Sequence, residues 1–271
     1  MAQQAVGLIG AGRMGMPIIA HLVRNGFSVL VHDIDPAKRT AVEAKGAQWA
    51  QSAAQIAGSA DFVLICVGYD REVKELLGAG GALTGARSGT VIAILSTIHP
   101  RTVQELADQL RPGGIDVVDS TVCRGSWAAD EGTLLSFVGG SADVVARLTP
   151  VLRTYSSDVV HTGPVGTAQV AKAANNLILW ACLVADHEGL ALAQRYGVDI
   201  AALRPALLTS SSANHALENW GNQTMAWAQD DMAIVGEMAD DCGISLPQAG
   251  VVREICRTLK PRRYKLEEYG K

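Results

Sequence analysis

The sequence predicts an α/β fold: a doubly wound parallel sheet, then an all-α C-terminal domain joined to it by a long helix. Three observations predict it. Short β-rich runs alternate with helical stretches from residue 6 to about residue 163, and that alternation builds a parallel sheet covered on both faces. The first run opens into a glycine-rich turn, Gly10-Ala11-Gly12-Arg13-Met14-Gly15. Beyond Gly163-Pro164 only helical patterns follow, broken by Gly197, Pro205, Gly221 and Pro247. The expected division is therefore 1–164 and 165–271.

In chain order, Val6 to Ile9 reads as a buried strand, and Met14 to Asn25 as an amphipathic helix stopped by Gly26. Ser28 to His32 (SVLVH) is a second strand ending at Asp33. Asp35-Pro36 then starts a helix through Lys45, with Asp35 as its N-cap and Gly46 as its stop. FVLICV (62–67), TVIAIL (90–95), Asp116–Val118 and Ser136–Val138 read as further strands. Helices lie between several of them, at Arg71–Leu77, Thr102–Leu110 and Ala142–Leu152. The helix after residue 167 spans roughly 40 Å at 1.5 Å per residue.

Composition excludes several classes. With 48% apolar and 18% charged residues, the 271-residue chain can bury a sizeable core. A net charge of −4 and the lack of a long Lys/Arg block argue against a nucleic-acid partner. Cys66, Cys123, Cys182, Cys242 and Cys256 show no metal-ligand spacing, so no metal is expected. An odd cysteine count and an N-terminus without a basic leader point to the cytoplasm. The apolar stretch 168–196 carries Lys172, Asn175, Asn176, Asp186, His187 and Glu188, which argues against a membrane span. His99, His187 and His215 have no partner at ligand spacing and read as structural.

The glycine-rich turn matches GxGxxG between a strand and a helix, the Rossmann dinucleotide-binding pattern. Gly10 permits the tight turn, Gly12 lets a pyrophosphate approach the backbone, and Gly15 lets helix and strand pack closely. The anion would face free N–H groups of Ala11, Arg13 and Met14 at the helix N-terminus. Asp33, eighteen residues after Gly15, ends the second strand, where a carboxylate accepts from ribose hydroxyls and repels a 2′-phosphate. The expected cofactor is NAD; Lys38 and Arg39 keep NADP open as the alternative.

Further segments, read with the opening GLIGAGRMGMPIIAHL, resemble the β-hydroxyacid dehydrogenase family over nearly the whole chain. LSTIHP (95–100) looks like the family's Ser-Thr-x-x-Pro loop, which implies Thr97 near the nicotinamide. DSTVCRG (119–125), followed by EGTLLSFVGG, looks like its substrate segment, implying Ser120, Cys123, Arg124 and Gly125 as substrate contacts. GTAQVAKAANN (166–176) resembles the catalytic-lysine motif and is the most specific match. Independently of the family, Lys172 and Asn176 stand at i and i+4, on one helix face. A lysine amine there can give a proton to a carbonyl oxygen or take it from an alcohol, and Asn176 can hold the substrate. The resemblance thus implies an NAD(P)-dependent oxidoreductase of the 3-hydroxyisobutyrate dehydrogenase type, acting on a 3-hydroxy acid or its semialdehyde. It assigns the N-terminal domain to the cofactor and the helical domain to substrate and subunit contacts. An apolar long helix on a small helical domain further implies a dimer or tetramer.

Four departures qualify the resemblance. Cys123-Arg124-Gly125 replaces the family's Ser-Gly-Gly, and Arg124 either grips a substrate carboxylate or faces solvent or an interface. Gln229-Asp230-Asp231 stands where Lys-Asp-Leu is usual, so Gln229 keeps hydrogen bonding near the nicotinamide without the charge. The shortened stretch between Trp220 and Gln229 suggests a trimmed loop with Trp220 and Trp227 beside it. Gly68-Tyr69-Asp70 lacks the usual Leu-Pro, although the backbone of Val67 and Gly68 remains available to a cofactor. The alternatives are an imine reductase-like enzyme, against which Lys172 argues, and a non-catalytic NAD(H) sensor.

Overall fold

The structure, a computed structural model, describes residues 4–221 and 227–258. The chain divides between Lys172 and Ala173 into two compact units.

The first unit is built on one eight-stranded sheet. Its strands are β1 (Ala5–Ile9), β2 (Ser28–His32), β3 (Gln48–Trp49), β4 (Phe62–Ile65), β5 (Val91–Ile94), β6 (Asp116–Cys123), β7 (Leu134–Gly139) and β8 (Ser156–Gly163). They lie in the order β3-β2-β1-β4-β5-β6-β7-β8, all parallel except the β6–β7 pair. Side-chain alternation explains why both faces need cover. On β4, Phe62 and Leu64 enter one core while Val63 and Ile65 enter the other. The first core is closed by α1 (Gly15–Arg24), α2 (Arg39–Glu43), α6 (Gly125–Glu131) and α7 (Ala142–Leu152). The second is closed by α3 (Ala53–Ser59), α4 (Asp70–Leu77) and α5 (Pro100–Leu110).

Strand order reverses at β1, between β2 and β4, so the carboxyl ends of β1 and β4 frame the crevice where such sheets take ligands. The expected strands and long helices are present. Asp35 caps a short 3-10 turn at Pro36–Lys38 that leads into α2. The structure adds β3, α3, α6 and β8 to the expected set. β8 is a half-exposed edge strand, SSDVVHTG, whose polar residues carry no alternating signal. Beyond the expected Asp116–Val118, β6 runs on to Cys123 and pairs antiparallel with β7.

The second unit is helical among its described residues. It contains α8 (Thr167–Arg195) from Ala173 onward, then α9 (Ile200–Leu207), α10 (His215–Glu218), α11 (Ala228–Cys242) and α12 (Pro247–Thr258). Trp180, Leu183 and Val184 of α8 pack with Met232 and Val235 of α11 and Val252 of α12. The Trp180 indole N–H donates to Asp231 Oδ2 at 3.0 Å. By length and composition alone α8 could cross a bilayer, yet it carries the buried polar residues Asn176 and His187.

Candidate active site

The loop after β1 shows why its glycines are glycines. Gly10 has φ +99°, and a Cβ on it would overlap the Cys66 carbonyl oxygen at the end of β4. A Cβ on Gly15 would overlap the Gly10 carbonyl, so α1 could not start so close to β1. Above Gly12 no protein atom lies within 4 Å of the Cβ position, leaving an open cradle at the start of α1. That cradle fits a pyrophosphate on geometry and on the helix dipole. Arg13 reaches the other way, its Nη2 donating to Ser126 Oγ at 2.8 Å.

Asp33 is buried and busy. Its Oδ2 accepts from the Ala11 N–H at 2.7 Å and from Lys38 Nζ at 2.9 Å, and its Oδ1 accepts from the Asp35 N–H at 2.9 Å. Burial pushes its pKa up, but the Lys38 ammonium and the two backbone donors outweigh burial and hold it below the usual carboxylate range. The Ala11 N–H is thus engaged by Asp33, and Lys38, which kept a 2′-phosphate open, is paired with the same carboxylate. Arg39 pairs with Glu43 at 2.8 Å.

The next two carboxyl ends are tied together. Ser96 Oγ accepts from the Val67 N–H at 3.0 Å and donates to the Val67 carbonyl at 2.8 Å. Glu72 Oε2 accepts from the N–H groups of Gly68 at 2.7 Å and Tyr69 at 3.0 Å. The backbone N–H groups of Val67 and Gly68, expected to serve a cofactor, are thus engaged inside the protein. Thr97, half-buried, follows Ser96 in the loop after β5.

Lys172 lies on the first turns of α8, with Nζ donating to the Val122 carbonyl at 2.7 Å and lying 3.9 Å from Cys123 Sγ. The lysine and the 122–123 segment are therefore brought together as expected. Asp119, fully buried on β6, places them: its carboxylate accepts from the N–H groups of Gly166 at 2.7 Å and Gln169 at 2.9 Å. It caps α8. Burial raises the Asp119 pKa, and the N–H donors of Gly166 and Gln169 oppose that shift. Its signal in the sequence was a carboxylate at the head of DSTVCRG, directly after the apolar pair Val117-Val118.

Two expected substrate contacts have the following surroundings. Ser120 is fully buried in β6, pointing into the sheet's packing with no partner for its hydroxyl among the described residues. Arg124 finds its carboxylate within the chain. Its Nη1 meets Asp158 Oδ2 at 2.7 Å, Ser157 Oγ at 2.9 Å and the Thr133 carbonyl at 3.0 Å. Arg124 also has φ +84°, the left-handed conformation that glycine takes without strain. Gly125, next in the turn, has φ +80°.

In the helical unit, Asn176 is buried one turn beyond Lys172 along α8, its Oδ1 accepting from Asn175 Nδ2 at 3.0 Å. Gln229 stands half-buried in the first turn of α11. Trp220 is half-buried and meets the His187 ring edge-on at 5.8 Å, whereas Trp227 is exposed. Most of the loop expected between Trp220 and Gln229 lies outside the described residues. His99 caps α5, its Nδ1 accepting from the Arg101 N–H.

A GxGxxG cradle at the switch point of a parallel sheet defines a dinucleotide-binding fold. Residues 5–163 match the family model for the NAD binding domain of 6-phosphogluconate dehydrogenase. Residues 166–268 match that for the NAD-binding domain of NADP-dependent 3-hydroxyisobutyrate dehydrogenase. The 3-hydroxyisobutyrate dehydrogenase of Pseudomonas aeruginosa is 33% identical over 92% of this chain and 86% of its own. The 2-(hydroxymethyl)glutarate dehydrogenase of Eubacterium barkeri is 28% identical over 92% and 87%. The solved 3-hydroxyisobutyrate dehydrogenase of Mycobacterium tuberculosis shares the fold, with a TM-score of 0.88 at 22% identity over 98% and 97%. The chain belongs to the β-hydroxyacid dehydrogenase family. Its cofactor is NAD(P).

Proposed function

We propose that this protein is an NAD-dependent dehydrogenase of a 3-hydroxy acid, or in reverse a reductase of its semialdehyde, with Lys172 moving the proton at the substrate oxygen. One observation carries the reading: Lys172 Nζ is fixed by the Val122 carbonyl at the carboxyl end of β6. An ammonium held by the Val122 carbonyl and weakly by Cys123 Sγ keeps a donor to direct at a substrate oxygen. In oxidation the amine accepts the alcohol proton; in reduction the ammonium returns it. The bound nicotinamide supplies the hydride acceptor or donor.

The glycine cradle, with Gly10, Gly12, Gly15, Arg13 and Met14, would hold the pyrophosphate. Asp33 retains one acceptor site on Oδ1 for a ribose hydroxyl, and Lys38 is already paired, which supports NAD over NADP. Thr97 and Gln229 are assigned to the nicotinamide end. Asn176, Cys123 and Gly125 are assigned to the substrate. 3-Hydroxyisobutyrate and 2-(hydroxymethyl)glutarate, named for the two relatives, both carry a hydroxymethyl group on the carbon next to a carboxylate. That shared unit is the proposed substrate class. Residues 1–164 would serve the cofactor and 165–271 the substrate and a homo-oligomeric contact. A cytoplasmic location accords with five free cysteines.

The test is a panel of hydroxymethyl carboxylates and their aldehydes with NAD and NADP, then Lys172→Ala on the best substrate. We expect NAD-linked turnover and a loss of about 10²- to 10⁴-fold in kcat, the range for a removed general acid–base group. Tight NADH binding with no turnover across the panel would replace the enzyme reading with that of a sensor. Full activity in Lys172→Ala would remove the lysine from the chemistry.

A further inference from the structure

We infer that Gln169 is a positioning residue that sets the distance between the cofactor loop and Lys172. The inference rests on the reading of Lys172 above. Gln169 is one turn before Lys172 on α8 and is 1% exposed. Its Nε2 donates to the Ser96 carbonyl at 2.8 Å, and its Oε1 accepts from the Ile98 N–H at 3.0 Å. Those two partners fix which way the amide faces, and they bracket Thr97 from both sides. A single side chain thus replaces a strand neighbour for the loop after β5.

The bracket is continuous in both directions. Ser96 binds both backbone groups of Val67 through its hydroxyl, so the loop after β4 is fastened to the same point. The Gln169 backbone N–H is held by Asp119 at 2.9 Å, which seats the first turn of α8 on β6. From Val67 to Lys172 every link is a hydrogen bond between buried or half-buried groups. In such surroundings an unmade bond leaves a desolvated partner behind. Hydride and proton must meet at one substrate carbon–oxygen bond, so the spacing of Thr97 and Lys172 is a catalytic dimension. Gln169 reaches neither substrate nor cofactor; it acts through the two segments it joins.

Two substitutions test this. Gln169→Leu keeps the volume and removes both hydrogen bonds. We expect kcat to fall about 10- to 100-fold, as for small misplacements of reacting groups. NADH should bind about three- to tenfold more weakly in a fluorescence titration, the effect of one or two lost hydrogen bonds. KM for the hydroxy acid should stay within about twofold, since uniform substrate contacts are untouched. Gln169→Glu can make both bonds only when its carboxyl is neutral, so its kcat and NADH affinity should approach wild type as pH falls and diverge as pH rises. A merely structural glutamine would lower Tm in both variants without moving NADH affinity or kcat of the folded protein, and that result overturns the inference. If Gln169→Leu does not fold, a pH-independent ratio of Gln169→Glu to wild type overturns it equally. Failure of the Lys172 reading shows separately, as turnover retained in Lys172→Ala, and leaves the NADH titration decisive for Gln169.

Discussion

At Asp33 a single carboxylate serves two masters. Its hydrogen bonds organise the glycine loop through Ala11 and the turn before α2 through Asp35 and Lys38, and under the proposed reading its charge would also select the cofactor. In Asp33→Asn the repulsion toward a 2′-phosphate disappears and Lys38 is released to meet one. The ratio of kcat/KM for NADP to that for NAD should rise about tenfold, or about 1.4 kcal/mol. An unchanged ratio would show that cofactor choice lies elsewhere. The same residue makes a second, independent expectation. Because its folded pKa lies below the ordinary 3.8, the ionised form stabilises the fold at all pH above that value. That contribution is lost as pH falls below 3.8 through the folded pKa. Denaturation midpoints of wild type and Asp33→Asn should therefore converge on acidification below about pH 4; a gap that widens there contradicts the assignment.

At the scale of the element, the turn from β6 into α6 shows how this chain keeps a backbone shape without its usual residue. Arg124 is the one non-glycine residue with positive φ among those described. An L-residue in that conformation costs roughly 1–2 kcal/mol relative to glycine. What opposes that cost is the three-way grip on its guanidinium by Asp158, Ser157 and the Thr133 carbonyl. Arg124 and Asp158 are exposed enough that salt screens their attraction. Removing the side chain separates the effects. Arg124→Ala loses the grip and keeps the strain, whereas Arg124→Gly loses both, so the glycine variant should be the more stable by about 1 kcal/mol in urea unfolding. Equal midpoints would mean that the turn adopts another conformation once the arginine is gone. The Arg124 site could not be settled from the sequence for the same reason. Asp158 lies 34 residues away on β8, an edge strand whose alternation is too weak to announce itself. By contrast, the glycine cradle was legible because its requirements are local: a turn, a close approach and a helix start within six residues. The placing of Lys172 beside the 122–123 segment could be anticipated from the two motifs, but the burial of Ser120 could not, because β6 runs five residues past its apolar start before the chain turns.

For the molecule as a whole, the parallel sheet follows from the alternation of strand and helix. The antiparallel insertion of β7 does not, because it depends on how far β6 extends. The remaining question at this scale is how many copies act together. On α8, Ile178 and Leu192 are 64% and 61% exposed, and Tyr196, just past its end, is 83% exposed. A step of fourteen residues at 100° each keeps Ile178 and Leu192 within about 40° of one another on the helix. Large apolar side chains exposed along one helix face are candidates for an interface. Covering Ile178 and Leu192 would each contribute on the order of 1.5–3 kcal/mol. A second copy of the chain is the partner expected to cover them, since closed symmetric pairing lets one stripe meet itself. Light scattering on a sizing column should give a mass of two chains or a multiple of two. The double variant Ile178→Asp/Leu192→Asp should run as a single chain, because burying two carboxylates at a self-facing stripe is opposed by both desolvation and like-charge repulsion. Ile34→Asp, a change at an 88% exposed residue of the sheet unit, is the control and should leave the mass unchanged. A wild-type protein that runs as one chain at micromolar concentration would refute pairing through α8.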